Sequence, residues 1–295
     1  MQSVLLFSFQ LLRMQNFVTV CVLLLLSFSV HAHVVDNFES CKEYFYEGFV
    51  PQGLTSGNDV YICQRYNNKY HFATLYDTAH RIPVYSAYVF ESNAKTKRRR
   101  KWFVEPQLAD RSLAMKEMKT QGEMKVKNIL KIEDKQAVDA DYDSLAPSWL
   151  YDHGHLNPCG HHAEEGCAAT FTLTNVVPQN KKLNNGPWAV YETSSKEIFK
   201  KCKTAFVLVG AIPSEANWLQ RGGVNRVNVP QSLWQAFCCV DKNQQASSGA
   251  ARAQNMDTQV ERVALAELQE FLRKKLNKAE APKLFANNCE AVKKP

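Results

Sequence analysis

Asp152-His153-Gly154-His155-Leu156-Asn157-Pro158 is the stretch on which the reading of this chain turns, with Asn175-Val176-Val177-Pro178-Gln179 and Leu183-Asn184-Asn185-Gly186-Pro187-Trp188 following it. The surroundings spread these residues over a strand, a loop and a helix. Ala168 to Val177 alternates threonine with apolar residues, the period of a half-buried strand. Pro187 to Lys203 opens with proline, which suits a first helical turn, and continues in helix formers. Asn184 is thus expected at a helix start, with Glu192 two turns on and near the same face.

On either side of these motifs, Val60–Cys63, His71–Tyr76 and Val84–Phe90 are strand-like, rich in β-branched and aromatic residues and separated by Asn- and Pro-containing turns. Ala205–Ala211 is a short continuous apolar run suited to a buried central strand, and Val227 to Val240 reads as another strand region after the Gly222-Gly223 turn. Lys95 to Lys101 holds a run of basic residues that leads into Trp102, and Asp110 to Lys135 reads as a polar excursion or loose helix. These patterns predict an α+β chain.

The ends are different in kind. Residues 1–32 carry a single charge, Arg13, and an apolar run from Phe17 to Val30 ends in the small-x-small pattern Val30-His31-Ala32. This predicts a signal peptide cleaved after Ala32 and an exported protein without a stable membrane anchor. Residues 33–242 are expected to form the main domain. Residues 243–257, rich in Gln, Ala, Ser and Gly, read as a linker, and residues 258–295 as a helix with a tail. In that helix Val260, Val263, Leu265, Leu268, Leu272 and Leu276 repeat at helical spacing.

Formal net charge is +7, or +6 without Arg13, a balance compatible with a polyanionic partner. Nine cysteines are present. With Cys21 in the signal, the remaining even set suits disulfides in an oxidising compartment. Proximity favours Cys41 with Cys63 and Cys159 with Cys167, and leaves Cys202, Cys238, Cys239 and Cys289 open.

At the three quoted motifs the chain resembles the DNA/RNA non-specific endonuclease family, the ββα-metal nucleases. Their signature is Asp-Arg-Gly-His, then Asn-x-x-Pro-Gln at a strand end, then Leu-Asn-x-x-x-Trp at a helix start. The resemblance spans roughly Phe72 to Val240. It implies a ββα-metal nuclease fold, with a mainly antiparallel central sheet flanked by helices. It also implies Mg²⁺-dependent hydrolysis of DNA and RNA, with Mn²⁺ able to substitute, to 5′-phosphate ends.

Chemistry gives these residue types their roles. Phosphodiester hydrolysis needs an activated water and a counter-charge for the developing negative charge. A neutral imidazole, here His155, is suited to taking the proton. Asn184 offers one hard oxygen to a Mg²⁺ that keeps its waters, and Glu192 accepts hydrogen bonds from those waters. By resemblance Asn175 supports the water network and Arg100, two residues before Trp102, clamps the phosphate; Arg99 and Lys101 add sequence-independent backbone contacts. One residue departs from the signature: His153 stands where the family has arginine. It is expected to be cationic at mildly acid pH and to keep some phosphate binding there.

Two other readings remain open. His153, His155, His161, His162, Cys159 and Cys167 are residue types that bind zinc, although their spacing fits no common closed site. A chain that keeps the nuclease scaffold but only binds nucleic acid is the rival to an enzyme.

Overall fold

The structure is a computed structural model that describes residues 34–91, 101–129, 131–143 and 150–290. The predicted signal at residues 1–32 therefore lies outside the described residues, as do Arg99 and Arg100. The strands are β1 (Val34–Val35), β2 (Asp59–Tyr66), β3 (Lys69–Asp77), β4 (Ile82–Val89), β5 (Phe103–Val104), β6 (Lys119–Thr120) and β7 (Tyr151–His155). They continue as β8 (Val176–Asn180), β9 (Thr204–Ile212), β10 (Trp218–Arg221), β11 (Val224–Asn228), β12 (Ser232–Val240), β13 (Ala246–Gln254) and β14 (Glu261–Val263).

Eight of them form one sheet in the order β1-β2-β3-β4-β9-β12-β13-β14, antiparallel at every pairing. Strand alternation divides the apolar residues between the two faces. In β9, Ala205, Val207, Val209 and Ala211 join one cluster and Leu208 and Ile212 the other. The first face is covered by the β7–β8 hairpin and the Pro187–Phe199 helix, through Leu156, Val176, Val177, Trp188 and Phe199. The second is covered by the 3-10 segment Phe38–Tyr44, the Leu265–Lys275 helix, and Leu284 and Phe285. Gly210 sits in the middle of the sheet because Trp234 crosses it: a methyl there would lie 2.3 Å from the indole ring.

Three expectations are corrected. Residues 243–257 are not a linker, because Ala246–Gln254 is β13, paired along its length with β12. Its composition of small residues reflects packing: a methyl on Gly249 would lie 2.5 Å from Phe237, and Ala250, Ala251 and Ala253 are buried. The C-terminal helix is confined to Leu265–Lys275, burying Leu265, Leu268 and Leu272, and Glu261–Val263 before it is the edge strand β14. Nor is Ala168–Val177 a strand. It holds the end of the Glu164–Ala169 helix, the 3-10 turn Leu173–Asn175 and only the start of β8. There the threonines face buried partners, Thr170 donating to the Cys167 carbonyl and Thr172 sharing a hydrogen bond with Thr174, so the alternation marks turns.

Four disulfides link Cys41 to Cys63, Cys159 to Cys167, Cys202 to Cys239 and Cys238 to Cys289. Among the described residues no helix is long and apolar enough to cross a membrane.

Candidate active site

β7 and β8 pair antiparallel, with His155 opposite Val176 and Asp152 opposite Gln179. Gly154 is required by that hairpin, since a methyl on it would lie 2.2 Å from the Gln179 side chain. His153 and His155 are alternate strand residues and emerge on one face. Asn180 ends β8 and caps the Lys181–Asn185 helix, its Oδ1 accepting from the Lys182 and Leu183 amides. That short helix breaks at Gly186, and Pro187 restarts the chain as the Pro187–Phe199 helix. Asn184 therefore stands in its own short helix rather than at the start of the long one.

The result is an open cleft of about 350 Å³ lined by His153, His155, Asn184 and Glu192, with Pro158, Cys159 and Gly160 as one wall. One strand and the two successive helices after β8 meet there. Asp152 sets the position of Asn184: its Oδ2 accepts from Asn185 Nδ2 at 2.7 Å and from Asn184 Nδ2 at 3.5 Å, and Lys181 Nζ is 3.7 Å from Oδ1. Directing the amide nitrogen at Asp152 leaves Oδ1 as the atom of Asn184 that an ion would meet. Glu192 is oriented by Trp188, whose indole N–H donates to Oε1 at 3.1 Å. The spacing of Trp188 and Glu192 is i to i+4 on one helix, the signal in the sequence for that contact.

The wall is fixed from behind by His161, which is buried. Its Nε2 is 3.2 Å from the Glu192 carbonyl, an acceptor only, so Nε2–H donates and Nδ1 accepts from the Tyr88 hydroxyl at 2.8 Å. Burial pushes the pKa of His161, and of His162, down to about 3, which keeps this neutral tautomer. The Cys159–Cys167 disulfide closes the same loop.

His153 differs from its expectation. Its ring lies between Tyr142, at 4.1 Å and 20° between planes, and Trp102, at 4.6 Å and 10°. Burial in that stack lowers its pKa to about 4, so the ring is neutral at mildly acid pH and carries no charge to offer a phosphate there. The stack is assembled from distant segments. Trp102 precedes Phe103, whose amide donates to the Phe171 carbonyl, and Tyr142 sits beside Asp141, which is paired at 2.8 Å with Arg226 of β11. Trp102 also touches His155, at 5.2 Å between rings, and Phe171 packs edge-on against His155 at 4.9 Å.

Asn175 does not reach the cleft. It is fully buried: Oδ1 accepts from Ser86 Oγ and the Asn157 amide, while Nδ2 donates to the carbonyls of Asn157 and Thr170. Both donors and both lone pairs are used, so it clamps the loop after His155 and has nothing left for a water network. Lys101 is exposed and directly precedes Trp102.

The zinc alternative fails on partners. Cys159 and Cys167 are joined to each other, His161 is held by Tyr88 and Glu192, and His162 by Asn157. Among the described residues no group of three or more His, Cys, Asp or Glu side chains is arranged to hold a metal. What the cleft offers an ion is one amide oxygen beside one carboxylate with room for water, a donor set that fits a hard cation retaining its hydration.

The sequence profile of the DNA/RNA non-specific endonuclease family matches residues 50–290. Endonuclease domain-containing 1 protein of Homo sapiens is 31% identical over 259 residues, covering 86% of this chain and 48% of its own. The chain thus spans about half the length of that relative. A nuclease of Nostoc sp. is 30% identical over 93 residues, 31% of this chain and 32% of its own. In the crystal structure of the EndoG/EndoGI complex, one chain superposes with a TM-score of 0.51 at 17% identity, covering 81% of this chain and 88% of that one. That likeness carries the fold, a ββα-metal nuclease.

Proposed function

Since the chain belongs to the DNA/RNA non-specific endonuclease family, we propose that its cleft hydrolyses phosphodiester bonds in DNA and RNA with a hydrated Mg²⁺, for which Mn²⁺ can substitute. One observation carries the proposal: His155, Asn184 and Glu192, brought from a strand and two helices, line a single cleft. An imidazole nitrogen of His155 takes the proton from the attacking water. Asn184 Oδ1 would bind the ion, held in place by Asp152, and Glu192 would orient its waters from a carboxylate fixed by Trp188. The ion, when bound, supplies the positive charge that offsets charge developing on the phosphate. Contacts to phosphates rather than bases account for cleavage with little sequence preference. Arg100, with Arg99 and Lys101, is proposed to add phosphate contacts from the basic run.

Export through the secretory pathway is part of the proposal. It rests on the apolar stretch ending at Ala32 and on four disulfides, which persist in oxidising compartments.

A second reading, binding without turnover, has one observation in its favour: a neutral, stacked His153 where the family signature has arginine. Incubating the oxidised protein with supercoiled plasmid and structured RNA, in Mg²⁺ or EDTA, decides between the two. Nicking with Mg²⁺ that EDTA and His155→Ala both abolish is the expected result. Intact nucleic acid in every metal and pH, with disulfides formed, would favour the binding reading.

A further inference from the structure

A neutral residue at position 153 leaves the cleft short of one cation, and the Pro187–Phe199 helix places a lysine against Gly160 of its wall. Lys196 follows Glu192 by four residues, on the same helix face. Its ammonium lies over Gly160 in the cleft wall: a methyl built on Gly160 would be 2.9 Å from Nζ and 3.5 Å from Cε. Gly160 does not have the positive φ that would demand glycine, so the missing side chain leaves space for the lysine. Nearby lysines are engaged otherwise: Lys181 with Asp152, Lys182 with Asp257 and Lys200 with Glu197. Among the described residues no carboxylate pairs with Lys196.

We infer that Lys196 binds a phosphate of the nucleic-acid strand at the rim of the cleft and supplies the charge that the family signature places at position 153. This inference rests on the nucleic-acid reading of the cleft. An ammonium on a flexible stem is a point charge that needs no bidentate geometry, which suits contact with a backbone whose sequence varies. Gly160 acts with it as the seat that holds the stem against the wall.

The test is equilibrium binding of a fluorescein-labelled DNA duplex to the full oxidised chain in EDTA, followed by anisotropy across a range of NaCl. Lys196→Met is expected to weaken binding several-fold at low salt and to flatten the slope of log K against log[NaCl] by about 0.9. Gly160→Ala is expected to act in the same direction with the lysine still present, and the double variant to bind no more weakly than Lys196→Met. An unchanged thermal melt of Lys196→Met excludes a folding defect, since the side chain is partly exposed. A wild-type slope in Lys196→Met, or full additivity in the double variant, overturns the inference. Because no turnover occurs in EDTA, a Lys196-dependent slope in a protein that never cleaves supports this contact and counts against the nuclease reading alone. Cleavage by a protein whose slope ignores Lys196 does the reverse, and absence of salt-dependent binding removes the contact as well.

Discussion

Every hydrogen-bonding position of the Asn175 amide is occupied inside the protein, and that decides what the residue does. Asn175→Asp would turn an acceptor toward the carbonyls of Asn157 and Thr170, each left without its donor at a cost of about 1–3 kcal/mol. Urea denaturation should therefore show a loss of several kcal/mol, while the proposed Mg²⁺ dependence of cleavage should be the same in the folded variant as in wild type. Unchanged stability with a shifted Mg²⁺ dependence would restore the water-network role. Asn175, Asn184 and Glu192 all stood out in the sequence because the motifs name them, but their surroundings did not. The shared spacing of a family motif identifies residues without separating one that faces the cleft from one that holds the loop behind it. His153 is the same case in reverse: its identity was legible, whereas Trp102 and Tyr142 are brought to it by long-range packing that no local pattern records.

Among the strands, β12 explains why four cysteines could not be paired from spacing. Cys238 and Cys239 are adjacent in a strand and point to opposite sheet faces. Cys239 joins Cys202 beyond the Glu192 helix, and Cys238 joins Cys289 in the cluster on the far face. The strand pattern held this clue, since a vicinal pair in a strand has partners on two sides of a sheet. Replacing Cys238 and Cys289 together by alanine should cost about 2–4 kcal/mol in denaturant midpoint analysis, with cleavage retained below the melting transition because the cleft lies on the other face. Loss of activity at full folding would place that bond in the site. β13 was hidden for a different reason. Its alanines, serines and glycine carry weak strand propensity, and the partner strand β12 supplies the bulk that makes the pairing pack.

Over the protein as a unit, three of the described histidines are held as neutral rings by desolvation, His161 and His162 buried with a pKa of about 3 and His153, stacked at the cleft, with about 4. The unfolded chain takes up protons on these groups first, below about pH 6.5, so the stability they leave intact above that pH is lost as pH falls toward the folded values. The loss is on the order of 1 kcal/mol per group per pH unit. His80 works in the other sense. Its hydrogen bond to Asp77 raises its pKa, so its contribution is present below about pH 6.5 and lost above the folded value, a partial offset in acid. Denaturant midpoints should fall between about pH 7.5 and about pH 5, and a flat or rising trend would show that these rings are not held neutral.

Whether one cleft joins a proton acceptor on β7 to an ion-binding asparagine beside Glu192 is decided by single-turnover cleavage of a labelled duplex as a function of Mg²⁺ concentration. Wild type, His155→Ala and Asn184→Ala would be compared with all four disulfides formed. Saturable cleavage by wild type is predicted. His155→Ala should lower the plateau by roughly 10²–10⁴-fold, the usual contribution of a general base, with little change in the Mg²⁺ midpoint. Asn184→Ala should instead move the midpoint to higher Mg²⁺. Folded variants that both retain the wild-type curve, or a wild type that leaves the duplex intact at every Mg²⁺ concentration, would contradict that arrangement.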